Sequence, residues 1–186
     1  MPDRFQLAVN KIDAANAQDP NSKELIYSQR MTQWLEQVEP NASEALRLAA
    51  RAQHIMRWKI PRSQYPMDRA GYHRWRTHLY DFHADAAAGI LRDVGYDDAT
   101  IARVRSLIRK ERIKSDPEMQ TLEDVICLVF LENYFHEFAR DHDEQQLITI
   151  LQRTWKKMSP RGHELALRLP LGDEDRRIIA KALNQE

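Results

Sequence analysis

The places where this chain cannot continue a helix lie about one helix apart. Asp19-Pro20-Asn21, Pro40, Pro61 with Pro66, Gly95, Asp116-Pro117, Ser159-Pro160 and Pro170-Leu171-Gly172 separate stretches rich in helix formers, in which β-branched runs are short. Proline lacks the backbone donor a helix interior needs, and a glycine just past a helix takes the left-handed cap, so each is a stop signal. The pattern predicts an all-α chain. A first helix is expected over 4–16, and a second, capped near Asn21 or Ser22, to Val38. A third opens at Asn41 with an acid three residues on, Glu44, and reaches Trp58. A fourth covers 72–94, a fifth runs from a cap at Asp97 to about 112, and a sixth begins at Pro117 and ends near Ala139. Two or three shorter helices follow. With no internal repeat or long linker, the expectation is a single helical domain of about eight helices over residues 1–186.

Composition narrows the function classes. A chain of 186 residues, 42% of them hydrophobic, buries about 70% of its unfolded surface and needs no disulfide or structural zinc for a core. The single cysteine, Cys127, sits in an apolar run and reads as a small hydrophobe in a reducing compartment. The longest apolar run, Val125 to Leu131, falls far short of the roughly 20 residues that span a bilayer. The start, Met1-Pro2-Asp3-Arg4, has no apolar signal region. The expectation is a cytoplasmic protein with no membrane partner. The five glycines are too far apart to write either the dinucleotide or the P-loop phosphate motif. The 28 basic and 28 acidic residues cancel, so non-specific attraction to nucleic acid is not the default.

Function is sought where a residue disagrees with its helical wheel. In the sixth helix Gln120, Asp124, Leu128, Leu131, Phe135 and Phe138 share a face, which puts a carboxylate in the apolar stripe. A buried carboxylate needs an arginine, a histidine, a metal ion or a dense hydrogen-bond network, or it must be protonated. In the fourth helix His83 lies at the edge of the face made by Trp75, Leu79, Phe82, Ala86 and Ile90, nearly in line with Arg76. In the third, Arg47, Arg51, His54 and Trp58 form a stripe whose simplest reading is a solvated basic face, with Gln53 and His54 able to converge near Ala50 and Arg57.

Those segments carry a resemblance. Leu46-Arg47-Leu48-Ala49-Ala50-Arg51-Ala52-Gln53-His54-Ile55 resembles the A-A-x-x-H-D-I segment of the HD-domain superfamily of metal-dependent phosphohydrolases, with Gln-His in place of His-Asp. Tyr27-Ser28-Gln29-Arg30-Met31 resembles that family's H-S-x-R-V helix, His83 its additional histidine, and Glu123-Asp124-Val125 its closing acid segment. The wording of these segments together is similar to a family of bacterial and fungal proteins known as a domain of unknown function. The HD resemblance implies a helical core over about 20–140 with a C-terminal helical extension, 141–186. It also implies metal positions at Tyr27, His54, His83 and Asp124, where Mn, Fe, Zn or Ni suits the donors. Only Asp124 keeps the family's ligand type. Two readings therefore stay open: an altered metal centre, or a polar core that has lost its metal.

The first hypothesis is a metal-dependent hydrolase of a small phosphate ester or nucleotide, with Glu123 or Gln53 orienting the attacking water. Arg51, Arg57, Arg62, Arg76 and Lys110 are its candidate substrate-binding residues. The alternative is a catalytically inactive binding or scaffold module. It is motivated by the missing ligands and the basic run Arg103, Arg105, Arg109, Lys110, Arg112 and Lys114, which could dock a nucleic acid, an acidic partner or a second copy in a homodimer. That run lacks interleaved aromatics, so single-stranded nucleic acid is not expected. An iron-dependent oxygenase of HD-like fold ranks third, because inward histidines are too few.

Overall fold

Capping side chains set most of the helix starts. Asp3, Asp68, Asp97, Asp143 and Ser159 each accept the N–H of the residue three positions on, which satisfies a donor that the first helical turn leaves free. The computed structural model describes residues 3–113 and 115–184, and every regular element among them is helical. The all-α expectation holds, with ten α-helices and two short 3-10 helices among the described residues. None of these helices is long and apolar enough to cross a membrane.

The chain divides into two compact units, Met1–Met119 and Gln120–Glu186. In the first, α1 (Arg4–Asn16), α2 (Lys23–Val38), α3 (Glu44–Arg51), α4 (Arg69–Asp93) and α5 (Asp98–Ile108) form a bundle in which α3 packs on α1, α2 and α5, and α4 packs on α1 and α5. Its interior holds Ala8, Ile12, Met31, Leu46, Leu48, Ile55, Leu91, Leu107 and Ile108. α6 (Pro117–Asn133) begins in the first unit and runs into the second, where α7 (Phe135–Ala139), α8 (Glu144–Trp155), α9 (Pro160–Ala166) and α10 (Asp173–Asn184) follow, with α10 packed on α8. Cys127 is buried in α6.

Several boundaries differ from the sequence reading. The cap of α3 is Ser43, whose Oγ accepts Leu46 N–H at 3.1 Å, rather than Asn41. The start of α2 is organised by Asp19, whose buried carboxylate accepts the N–H groups of Asn21, Lys23 and Glu24. The sixth helix expected to reach Ala139 breaks at Tyr134 into α6 and α7, and α5 stops at Ile108.

The end of α3 differs most: the helix stops at Arg51, not Trp58, and residues 52–56 form a turn that leads into a 3-10 helix at Arg57–Lys59. Side chains from elsewhere supply what the helix would have provided. Asn16 Oδ1 accepts Met56 N–H at 3.0 Å, and His83 Nδ1 donates to Ile55 O at 2.8 Å. Met56 takes a left-handed backbone, φ 52°, which costs a β-carbon-bearing residue energy that the surrounding bonds must offset. Gln53, His54 and Arg57 are therefore carried on a turn.

Candidate functional site: an imidazole and guanidinium cluster in the N-terminal unit

Three elements of the N-terminal unit bring titratable groups together. From α2 come Glu24 and Tyr27, from the 52–59 turn His54 and Arg57, and from α4 Trp75, Arg76, Tyr80 and His83. Tyr27, 8% exposed, stacks on His54 with ring centroids 3.9 Å apart and planes 10° from parallel. The His54 and His83 rings are 5.9 Å apart. Arg57 lies over the Trp75 ring at 4.9 Å, and the Trp75 indole N–H is anchored on Ile60 O.

The hydrogen bonds dictate the proton positions. Arg57 Nη1 lies 2.9 Å from His54 Nε2. A guanidinium can only donate, so Nε2 accepts and the His54 proton sits on Nδ1, which faces Glu24 Oε2 at 3.8 Å. The same logic holds for His83: Ile55 O can only accept, so Nδ1 carries the proton and Nε2 presents its lone pair. Burial and the charges of Arg57, His83, Lys110 and Arg76 hold the His54 pKa well below its usual value, although 24% of the side chain still meets solvent. Burial lowers His83 to about 4 against the opposing Ile55 bond. Glu24 moves the other way. Burial pushes its carboxyl up to about 7, with Arg57 opposing and Asp19 reinforcing the rise. Both imidazoles are thus neutral in neutral solution while Glu24 is poised to titrate.

The arginines divide by what they hold. Arg51, expected on a solvated face and as a substrate contact, is instead clamped by both oxygens of Asp13 at 2.7 and 2.6 Å and bonded to Thr32, with only 11% of its side chain exposed. It ties α1, α2 and α3 together, and its fork is occupied. Arg62 donates to the Tyr65 and Asp68 carbonyls and braces the loop before α4. That loop lies on Gly71, where an added β-carbon would come within 2.0 Å of Pro66 O. Arg57 and Arg76 differ: no described carboxylate lies within 4.0 Å of either guanidinium. Arg76 donates to Tyr72 at 3.1 Å and also to Tyr80. Lys110, in a left-handed conformation with φ 59°, adds to the field at His54. The result is two neutral imidazoles facing two guanidiniums, Arg57 and Arg76, that no described carboxylate pairs.

The acidic candidates belong to the C-terminal unit. Asp124 is 2% exposed, as its place in the apolar stripe predicts. Its oxygens accept Ser159 N–H at 2.8 Å, the Ser159 hydroxyl, and Gln120 Nε2 at 3.1 Å. Ser159 in turn caps α9 by accepting Gly162 N–H, and a β-carbon on Gly162 would approach Asp124 Oδ1 to 2.7 Å. The hydrogen-bond network that the sequence left as one option for Asp124 is what surrounds it. Glu123 is equally buried, with Lys157 Nζ 3.9 Å away.

These donors fit a metal ion poorly. His54 Nε2 is filled by a guanidinium N–H, a cation standing where the ion would sit, and the Asp124 oxygens are committed to Ser159 and Gln120. Among the described residues no three His, Cys, Asp or Glu side chains gather as ligands.

Three arginines of the basic run in and just after α5 are paired with acids. Arg103 pairs with Asp116 and Glu118, Arg105 with Asp85, and Arg109 with Asp81 and Asp85. Lys114 lies outside the described residues.

A family model described as a domain of unknown function, DUF4202, matches residues 6–179. The chain belongs to the DUF4202 family. No curated protein and no solved structure matches it. Residues 6–179 include every member of the imidazole and guanidinium cluster, so the cluster sits wholly inside the family's domain.

Sequence reasoning missed Glu24 and Tyr80. Both carried a signal: Glu24 precedes Tyr27 by one helical turn, and Tyr72, Arg76 and Tyr80 are spaced four apart on one face of α4.

Proposed function

We propose that the N-terminal unit binds a small phosphorylated molecule, with Arg57 and Arg76 holding the phosphate. The observation that carries this reading is the pair of guanidinium groups without a carboxylate partner, gathered around imidazoles held neutral. Elsewhere this chain supplies acids to its arginines, as at Arg51, Arg103, Arg105 and Arg109. Guanidiniums left with neutral partners are suited to an anion from outside, and their planar forks match phosphate oxygens. Phosphate recognition here falls to side chains, because the glycine-poor sequence offers no backbone cradle.

The HD resemblance would add hydrolysis of the bound ester. One observation favours it: a carboxyl at about 7, beside His54, is half protonated in neutral solution and is suited to protonate a leaving oxygen. The metal route is not used, because the donors do not fit.

Calorimetric titration of inorganic phosphate at low salt tests the binding reading. Wild type is expected to bind, with Arg57→Gln and Arg76→Gln each weakening binding by roughly tenfold or more. Absence of heat in wild type, or unchanged affinity in both variants, would refute it. Turnover of a chromogenic phosphate ester that Glu24→Gln abolishes would support hydrolysis.

A further inference from the structure

His83 Nε2 is a buried acceptor with no donor in the described protein. Its tautomer is locked by the 2.8 Å bond from Nδ1 to Ile55 O, so Nε2 cannot become a donor by moving the ring proton. With its pKa at about 4 it does not take a second proton in neutral solution either. Gln53 Oε1, on the turn that carries His54 and Ile55, is a second buried acceptor without a donor. The partly exposed His54 ring, 5.9 Å away, is the neighbour of the His83 ring, and the charge of Arg57 acts on both. The cluster therefore offers a ligand two opposite demands: guanidinium donors that need negative charge, and buried acceptors that need a hydrogen to be given to them. An unpaired buried acceptor is costly, so a ligand meeting both demands is favoured over one meeting only the first.

We infer that the site selects a hydrogen phosphate group over sulfate, because His83 Nε2 accepts a hydrogen bond that only a P–O–H can give. The two anions have the same tetrahedral shape. In neutral solution every inorganic phosphate ion keeps at least one hydroxyl hydrogen and sulfate keeps none. A sulfate oxygen set against Nε2 would bring two lone pairs together. For a phosphate monoester, the favoured species is the singly ionised one, populated below about pH 6. This inference rests on the phosphate-binding reading above and specifies the protonation state of the ligand.

The experiment is a titration of inorganic phosphate and of sulfate into the full chain, in neutral buffer free of both. Phosphate is expected to bind roughly tenfold or more tightly than sulfate, and His83→Phe to lose the preference while still binding both anions. Equal binding of the two by wild type overturns the inference and leaves the anion site standing; binding of neither overturns both. A folded His83→Phe that keeps the preference also overturns it. Because that variant removes the bond to Ile55 O, a second readout needs no substitution. With isotope-labelled histidine, the His83 Nε2 resonance should move on adding phosphate and stay in place on adding sulfate. No movement with phosphate contradicts the contact.

Discussion

Replacing Glu24 with glutamine should flatten one part of the protein's pH–stability profile. Glu24 keeps 13% of its side chain exposed, and burial raises its carboxyl to about 7 from 4.5. A raised acid binds more protons in the folded than in the unfolded chain between those values, so its contribution is fully present below the unfolded value and is lost as pH rises through 7. At about 1.36 kcal/mol per tenfold, the interval is worth about 3 kcal/mol at most, and residual solvent around the carboxyl brings that nearer 2. Glutamine carries no such penalty. Urea unfolding followed by tryptophan fluorescence suits the measurement, since Trp34, Trp58 and Trp75 report on the unit that contains Glu24. The two proteins should be nearly equal near pH 4, and the Glu24→Gln protein should be the more stable by about 2 kcal/mol at pH 8.5. Taking the difference cancels the histidines, which are common to both. Parallel profiles across that range would show that Glu24 is not held protonated by its surroundings.

Other perturbations separate structural roles from functional ones. In the Glu24→Gln background, stability should fall as pH drops from about 6.5 toward 4, because His54 and His83 stay neutral when folded and take up protons when unfolded; a flat acid limb in the same unfolding assay would contradict this. Asp124→Ala should cost about 2–4 kcal/mol in urea unfolding, with or without added divalent ions, since it strips Ser159 and Gln120 of their acceptor. Unchanged stability would contradict that role. Gly71→Ala should cost about 1–3 kcal/mol through the contact with Pro66 O, read as a lower thermal midpoint.

Much of the fold was legible because helix stops are local. Pro117, Gly95 and the capping aspartates act within one turn of themselves, and a reader of the chain can place them. The end of α3 was not legible. It depends on Asn16 and His83, residues far away in sequence that take over the backbone groups of Ile55 and Met56. The same long-range bonding hid the site's character. Asp124 could be placed in the core by periodicity, but whether its partner was a metal, an arginine or a serine depended on where Ser159 falls. Arg51 looked solvated on a wheel and proved to be clamped by Asp13. His54 and His83 could be named as inward candidates, yet their tautomers follow only from Arg57 and the Ile55 carbonyl.

The most direct test is to locate the anion. A crystal of the protein grown with arsenate, a heavier tetrahedral analogue of phosphate that keeps a hydroxyl hydrogen in neutral solution, should show strong density against the Arg57 guanidinium and beside the His54 and His83 rings. Clear density elsewhere on the molecule, with Arg57 still bonded to His54 and nothing at Arg76, would contradict the account.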